Sequence, residues 1–236
     1  MITTDAYAHC GLRKYKPVED LDACMDRHGV SRTVLAQHLG EYDNSYIASV
    51  VKARPKRFAG VFLVDLNNPK AADEVRRWKE SGAFRGIRFP SESLITHAAL
   101  WQWAAQLGLH FVVSAPFPKP VVAALATFAS HNPRTQFTLT HLGTPELASR
   151  RNVHVQISGM HKLGKTPYTE LIPQIRELHR VYSAARLLYA SNFPVMETEE
   201  VYAAEMDLLR SGRLGIPEKD IALVMNANAG RMWFSR

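Results

Sequence analysis

The stretch FAGVFLVDLNNPKAADEVRRWKESGAFRGIRF, residues 58–89, holds the unit from which the chain is built. FAGVFLVD (58–65) is a short apolar run of strand length, residues 69–81 place apolar side chains at helical spacing, and FRGIRF (84–89) is a second strand. Strand, helix and strand joined by short connections form a βα unit of a parallel sheet. The alternation recurs in both directions. Strands are predicted at 2–9, 32–37, 58–65, 84–89, 109–114, 136–141, 153–158 and 186–191. Helices are predicted at 18–28, 43–53, 69–81, 96–107, 119–131, 168–183, 199–211 and 217–230. Eight strands with intervening helices predict an α/β fold, a compact (β/α)8 TIM barrel in a single domain over 1–236, at the short end of the usual length of about 250 residues. LGTPELASRRN (142–152) is too short for a full helix and is expected to form one turn. The competing open, doubly wound sheet carries a Gly-rich phosphate loop, and neither GxGxxG nor GxxxxGKS/T occurs here.

Composition narrows the setting. With 46% hydrophobic residues the chain can bury a substantial core. No window offers the roughly 18 consecutive apolar residues of a membrane span, and no signal-peptide pattern opens the chain, so a soluble cytoplasmic protein is expected. Cys10 and Cys24 are too few for a disulfide scaffold or a structural zinc site. The formal net charge is +7, but the basic residues are scattered in pairs such as RPKR (54–57), RR (76–77) and RR (150–151). That pattern argues against nucleic acid and for a small anionic metabolite as partner. A homodimer is a fair expectation for a soluble enzyme.

In a barrel the active site gathers at the carboxyl ends of the strands. The polar residues there are Tyr7, His9, Gln37, His38, Asp65, Arg88, Ser114, His141, Ser158, His161, Ser191 and Asn192. In ITTDAYAHCG (2–11), Asp5, Tyr7 and His9 stand at alternate positions and are predicted to share one strand face. His9 and His141 each end an apolar strand, where a buried imidazole needs partners. His38, His97, His110, His131, His154 and His179 read as surface or capping residues. Arg88 is positioned to hold a substrate carboxylate through two parallel hydrogen bonds, with Asp65 as the competing structural partner. Tyr42 and His161, in loops after strands two and seven, are expected to reach over the pocket, and Asp43 to cap the following helix.

DAYAH (5–9), YDNSYIASVVKARPKRFAGVFLVD (42–65), FRGIRF (84–89), FTLTHLG (137–143), VQISG (155–159), LLYASNFPV (187–195) and NANAGRMW (226–233) together resemble the amidohydrolase-related (amidohydrolase 2) barrel hydrolases. The resemblance is to the branch of 2-pyrone-4,6-dicarboxylate lactonase and sugar-acid lactonases, and it covers essentially the whole chain. It implies a (β/α)8 barrel in which strand one ends in His-x-His, strand six supplies a His and strand eight an Asp. His9 and His141 match; Tyr7 stands where the family has the first His, and Asn192 where it has the Asp. Two imidazoles alone make a poor divalent site, and a neutral phenol and amide are weak replacements. No metal is therefore expected, the alternative being one zinc or manganese ion on His9 and His141. The predicted catalytic set is His9, His141, Tyr7 and Asn192, and the substrate-binding set Arg88, Gln37, Ser114, His161 and Tyr42. The resemblance favours a metal-independent hydrolase of a small carboxylated lactone or cyclic ester. The lost Asp also leaves open a lactone isomerase, cyclase or decarboxylase, a metal-dependent hydrolase, or a non-catalytic ligand-binding descendant.

Overall fold

The computed structural model describes residues 2–196 and 198–235. Eight strands, β1 (Thr3–Ala8), β2 (Val30–Ala36), β3 (Phe58–Phe62), β4 (Phe84–Pro90), β5 (His110–Ser114), β6 (Phe137–Leu139), β7 (Val153–Ile157) and β8 (Leu187–Tyr189), form one sheet in sequence order. Every neighbouring pair is parallel. Just beyond β8 the backbone bonds back to β1: the Asn192 N–H donates to Tyr7 O at 2.8 Å, and the His9 N–H to Phe193 O at 2.7 Å. These bonds curl the sheet into the nearly closed (β/α)8 barrel predicted from the strand count.

The helices α1 (Val18–His28), α2 (Ser45–Ala53), α3 (Ala71–Glu80), α4 (Ser93–Thr96), α5 (Ala98–Gln106), α6 (Lys119–His131), α7 (Ile172–Tyr182), α8 (Glu199–Arg210) and α9 (Glu218–Ala222) surround it. Each buries one stripe; in α1 this is Val18, Leu21, Cys24 and Met25, after which Gly29 at φ 67° closes the helix. Between β6 and β7 stands only the short turn Pro145–Leu147, as its eleven-residue segment foretold. None of the helices among the described residues is long and apolar enough to cross a membrane.

The segment predicted as a helix over 217–230 behaves differently. After α9 the chain widens into π-helical turns at Leu223–Ala227 and Gly230–Phe234. The physical reason lies in two asparagines. Asn226 Oδ1 accepts from the Thr4 hydroxyl at 2.8 Å, while Asn228 Nδ2 donates to Ala184 O and Leu187 O at 2.7 and 2.8 Å. Residues two apart point away from each other on a regular α-helix, and the wider turn brings both to the barrel's amino-terminal mouth. Behind them Trp233 plugs that mouth. It packs with Ala229 into the inner cluster of Ala6, Tyr7, Val34, Ala36, Ala59, Val61, Val112, Leu188 and Ala190. Gly86 makes room for it, because a Cβ there would lie 2.9 Å from the indole ring.

Strand β1 corrects one expectation. Its register against β2 shifts between Asp5 and Ala8, so alternation breaks and consecutive Ala6 and Tyr7 both join the inner cluster. Asp5 therefore does not share the face of Tyr7 and His9. Its carboxylate accepts from the Tyr7 and Ser191 backbone N–H groups and from the Ser191 hydroxyl, stapling β1 to β8. Burial pushes its pKa up to about 7.

Replacing Trp233 by Ala should cost about 3–5 kcal/mol, since the emptied mouth is lined by strand backbone that cannot collapse onto it. Urea denaturation of the variant measures this directly; an unchanged midpoint would mean that the plug contributes nothing.

Candidate active site

The carboxyl-terminal mouth gathers most of the predicted residues. Arg88, near the end of β4, is only 7% exposed. Its Nε donates to Ser114 Oγ at 2.8 Å, one Nη donates to Gln37 O at 2.9 Å, and the guanidinium lies 5.4 Å from the centre of the Tyr7 ring. No carboxylate among the described residues pairs with it. Asp65, its expected competitor, accepts instead from the Asn67 N–H in its own turn.

Tyr7 connects the two histidines, its ring centre 4.7 Å from that of His9 and 6.2 Å from that of His141, edge-on to both. Desolvation raises its pKa and keeps the phenol protonated, and the hydroxyl, although close to Ser114, has no hydrogen-bond partner among the described residues. His9 donates through Nδ1 to Ala36 O at 2.7 Å, which leaves Nε2 with its lone pair, next to Asn192. Burial and the Arg88 charge hold His9 neutral, well below the ordinary range.

His141 sits two residues past β6 with φ 53°, and Asn192 past β8 with φ 60°. This left-handed backbone is uncommon for residues other than glycine, and at both positions it turns the side chain out of strand alternation. The His141 N–H donates to Ser158 Oγ at 3.0 Å, and that hydroxyl lies 3.3 Å from Nδ1 of the same ring. That hydroxyl has both a proton to give and a second lone pair to accept with, so it can meet either tautomer of the ring. Burial, followed by the charges of Lys162 and Arg88, pushes His141 down to about 4. Under the ring lies Gly159 at φ +65°, where a Cβ would stand 2.4 Å from His141 Nδ1. Only glycine fits there. Asn192 is buried, and its Nδ2 has no partner among the described residues.

His161, on the turn after β7, is near enough to His141 for its charge to help lower that ring's pKa. Its Nδ1 is 2.7 Å from Glu205 Oε1, which also accepts from its backbone N–H at 2.9 Å, and its Nε2 is buried without a partner. Glu205 escaped sequence reading. Its signal is a lone carboxylate on the apolar stripe of α8, among buried Tyr202, Met206 and Leu209.

Three expectations change. The Gln37 side chain does not face the mouth: Nε2 donates to Asp43 O and Oε1 accepts from the His38 N–H, fixing the loop before α2. Only its backbone carbonyl serves the site, through Arg88. Tyr42 is 42% exposed on that loop, its side chain turned to solvent. The tyrosine over the site is Tyr15, stacked on His9 at 5.3 Å and edge-on to His38 at 4.7 Å. His38 is accordingly buried in the mouth, not a surface or capping residue. Asp43 does begin α2, accepting from the Ser45 N–H at 3.0 Å.

The donor set around His9 and His141 does not fit a divalent ion. Among the described residues, the group of three His, Cys, Asp or Glu side chains that brings its donor atoms together is Cys24, His28 and Glu199, between α1 and α8. There the Cys24 thiol is pushed up to about 12 by burial, and Arg27 holds both Glu199 oxygens. At the mouth, Tyr7 and Asn192 supply neutral oxygen and nitrogen.

The chain is 27% identical over 206 residues to an L-fucono-1,5-lactonase of Burkholderia ambifaria, covering 75% of this chain and 69% of that protein. A probable 2-pyrone-4,6-dicarboxylic acid hydrolase of Acinetobacter baumannii, solved with citric acid bound, superposes with a TM-score of 0.75 at 16% identity, over 98% of this chain and 99% of the other. An amidohydrolase of Burkholderia multivorans with bound zinc gives a TM-score of 0.76 at 15% identity over the same shares. The amidohydrolase family model matches residues 4–234, and the chain belongs to that family.

Proposed function

We propose that this protein hydrolyses a small carboxylated lactone or cyclic ester without a metal ion. The observation that carries the reading is Arg88. A guanidinium 7% exposed, oriented by a hydroxyl and a carbonyl yet facing no carboxylate among the described residues, is a buried charge in want of a counter-ion. A substrate carboxylate supplies it, with the planar geometry the guanidinium matches. The lactonase of B. ambifaria and the citrate bound by the A. baumannii protein lend this support by analogy.

The remaining residues divide by what they offer. His141 in the tautomer that carries its proton on Nε2, the Asn192 amide and the Tyr7 hydroxyl offer hydrogen-bond donors, the last two without partners among the described residues. A lactone carbonyl between them would find its oxygen stabilised as negative charge develops during attack by water. Being neutral, His141 acts here as a donor without carrying the charge that would repel Arg88. His9, with its lone pair on Nε2, accepts a hydrogen bond from substrate or water. Tyr15 and His38 wall the mouth on the side of β1 and β2.

A panel of carboxylated and sugar-acid lactones, including 2-pyrone-4,6-dicarboxylate and L-fucono-1,5-lactone, tests the reading by product mass. A gain of one water marks hydrolysis; an unchanged mass would make the enzyme an isomerase, and loss of carbon dioxide a decarboxylase. Arg88→Lys should raise KM about tenfold, the equivalent of roughly 1.4 kcal/mol, because the ammonium keeps the charge and loses the paired hydrogen bonds. A KM equal to that of the parent would remove Arg88 from substrate binding.

Metal independence has its own check. The double variant Tyr7→His with Asn192→Asp restores a family-like ligand set and should acquire stoichiometric zinc by elemental analysis while losing activity on the parent's substrate. If the parent itself carries stoichiometric metal that a chelator removes together with activity, the metal-free mechanism is wrong.

A further inference from the structure

The lost strand-eight carboxylate leaves open which group moves the proton of the attacking water. Besides His38 in the wall of the mouth, three imidazoles face it, and their surroundings differ. His9 and His141 are neutral rings held against main-chain or hydroxyl groups, both facing the Arg88 charge. Of these three, His161 alone is backed by a carboxylate among the described residues.

That carboxylate is exceptional. The Glu205 side chain is wholly buried on a helix stripe otherwise made of tyrosine, methionine and leucine. A carboxylate so placed is costly unless a neighbouring group can carry positive charge, and Glu205 Oε1 gathers both the backbone N–H and the ring Nδ1 of His161. The bond fixes the tautomer. Nδ1 keeps its proton against Oε1, so Nε2 presents its lone pair, buried and without a partner among the described residues. The turn that carries the ring starts at Gly159, directly under His141, so one short segment positions the carbonyl-polarising imidazole and the carboxylate-backed one together.

We propose that His161 is the catalytic acid–base residue of the hydrolysis and that Glu205 is its positioning residue, a pair standing in for the Asp that Asn192 replaced. The inference rests on the lactonase reading above. In the forward step the water oxygen bonds to the lactone carbonyl carbon while one of its protons passes to His161 Nε2, and Glu205 faces the imidazolium so formed. Collapse of the tetrahedral adduct breaks the bond between that carbon and the ring oxygen. The departing ring oxygen takes the proton back from Nε2, so lactone plus water becomes hydroxy acid and the ring returns to its starting form.

The test compares the parent, His161→Gln, Glu205→Gln and Glu205→Asp on the best lactone of the panel, with titration calorimetry of the hydroxy acid product as a measure of ground-state binding. His161→Gln should lower kcat by a factor on the order of 10² to 10⁴ while product affinity stays within about threefold of the parent, and added imidazole should restore part of kcat. Glu205→Gln should lower kcat and move the acid limb of the pH profile, with Glu205→Asp recovering part of both. Nitrogen-15 spectra of histidine-labelled protein supply a readout independent of turnover: His161 should be protonated on Nδ1 in the parent and divided between tautomers in Glu205→Gln. His161→Gln with more than about a third of the parent's kcat would overturn the proposal and leave the lactonase reading intact. So would a His161→Gln that loses product affinity as steeply as kcat, or a parent ring protonated on Nε2. A parent that opens no lactone would overturn the functional reading itself, and this proposal with it.

Discussion

A positive charge buried without a negative partner among the described residues is the constraint to which the mouth of this barrel answers. Arg88 is held from one side by Ser114 Oγ and from another by the carbonyl of Gln37, at the ends of β5 and β2, so two strands are committed to aiming it. Its field reaches the neighbouring rings. His9 and His141 are kept neutral first by burial and then by nearby cations, Arg88 among them. The Tyr7 ring lies against the guanidinium, where its face is attracted to the cation. Tyr7 and Asn192 add no charge of their own beside it, one being a protonated phenol and the other an amide.

The fold makes this possible by separating two tasks along the barrel axis. At one end Trp233, Asn226 and Asn228 close the bore with apolar packing and satisfied amides. At the other, residues that leave regular geometry build the site: the β1 irregularity, the left-handed His141 and Asn192, and the turn at Gly159. Regular strands carry stability, and their irregular ends carry chemistry, as barrel architecture favours.

That division explains what could be read from residues alone. Alternating strand and helix patterns define all eight strands to within a few residues, and most of the helices between them, since periodicity is a local property of the chain. Strand-end position likewise marked His9, Arg88, Ser114, His141 and Asn192. Parity within β1 failed because a register shift against β2 is set by pairing, which no single strand encodes. Gln37 and Tyr42 lie in a loop whose path depends on bonds to Asp43 O and on Asn44 bridging to Leu63. Tyr15, which covers the site in their place, sits in an equally irregular segment and gave no periodic signal. Glu205 is 44 residues from His161 and meets it only once β7 and α8 are adjacent; its mark was an acid on an oily stripe.

Gly159 carries a consequence of another kind. It has no side chain and takes part in no chemical step, yet the room under the His141 ring exists only because a hydrogen stands there in place of a carbon. Most single-nucleotide changes in a glycine codon introduce a Cβ, and each would press on the same imidazole nitrogen. Mutational drift is thus closed at this position for as long as His141 is in use, whereas it stays open at larger and more polar neighbours. A change of this glycine has to displace the His141 ring before it can do anything else.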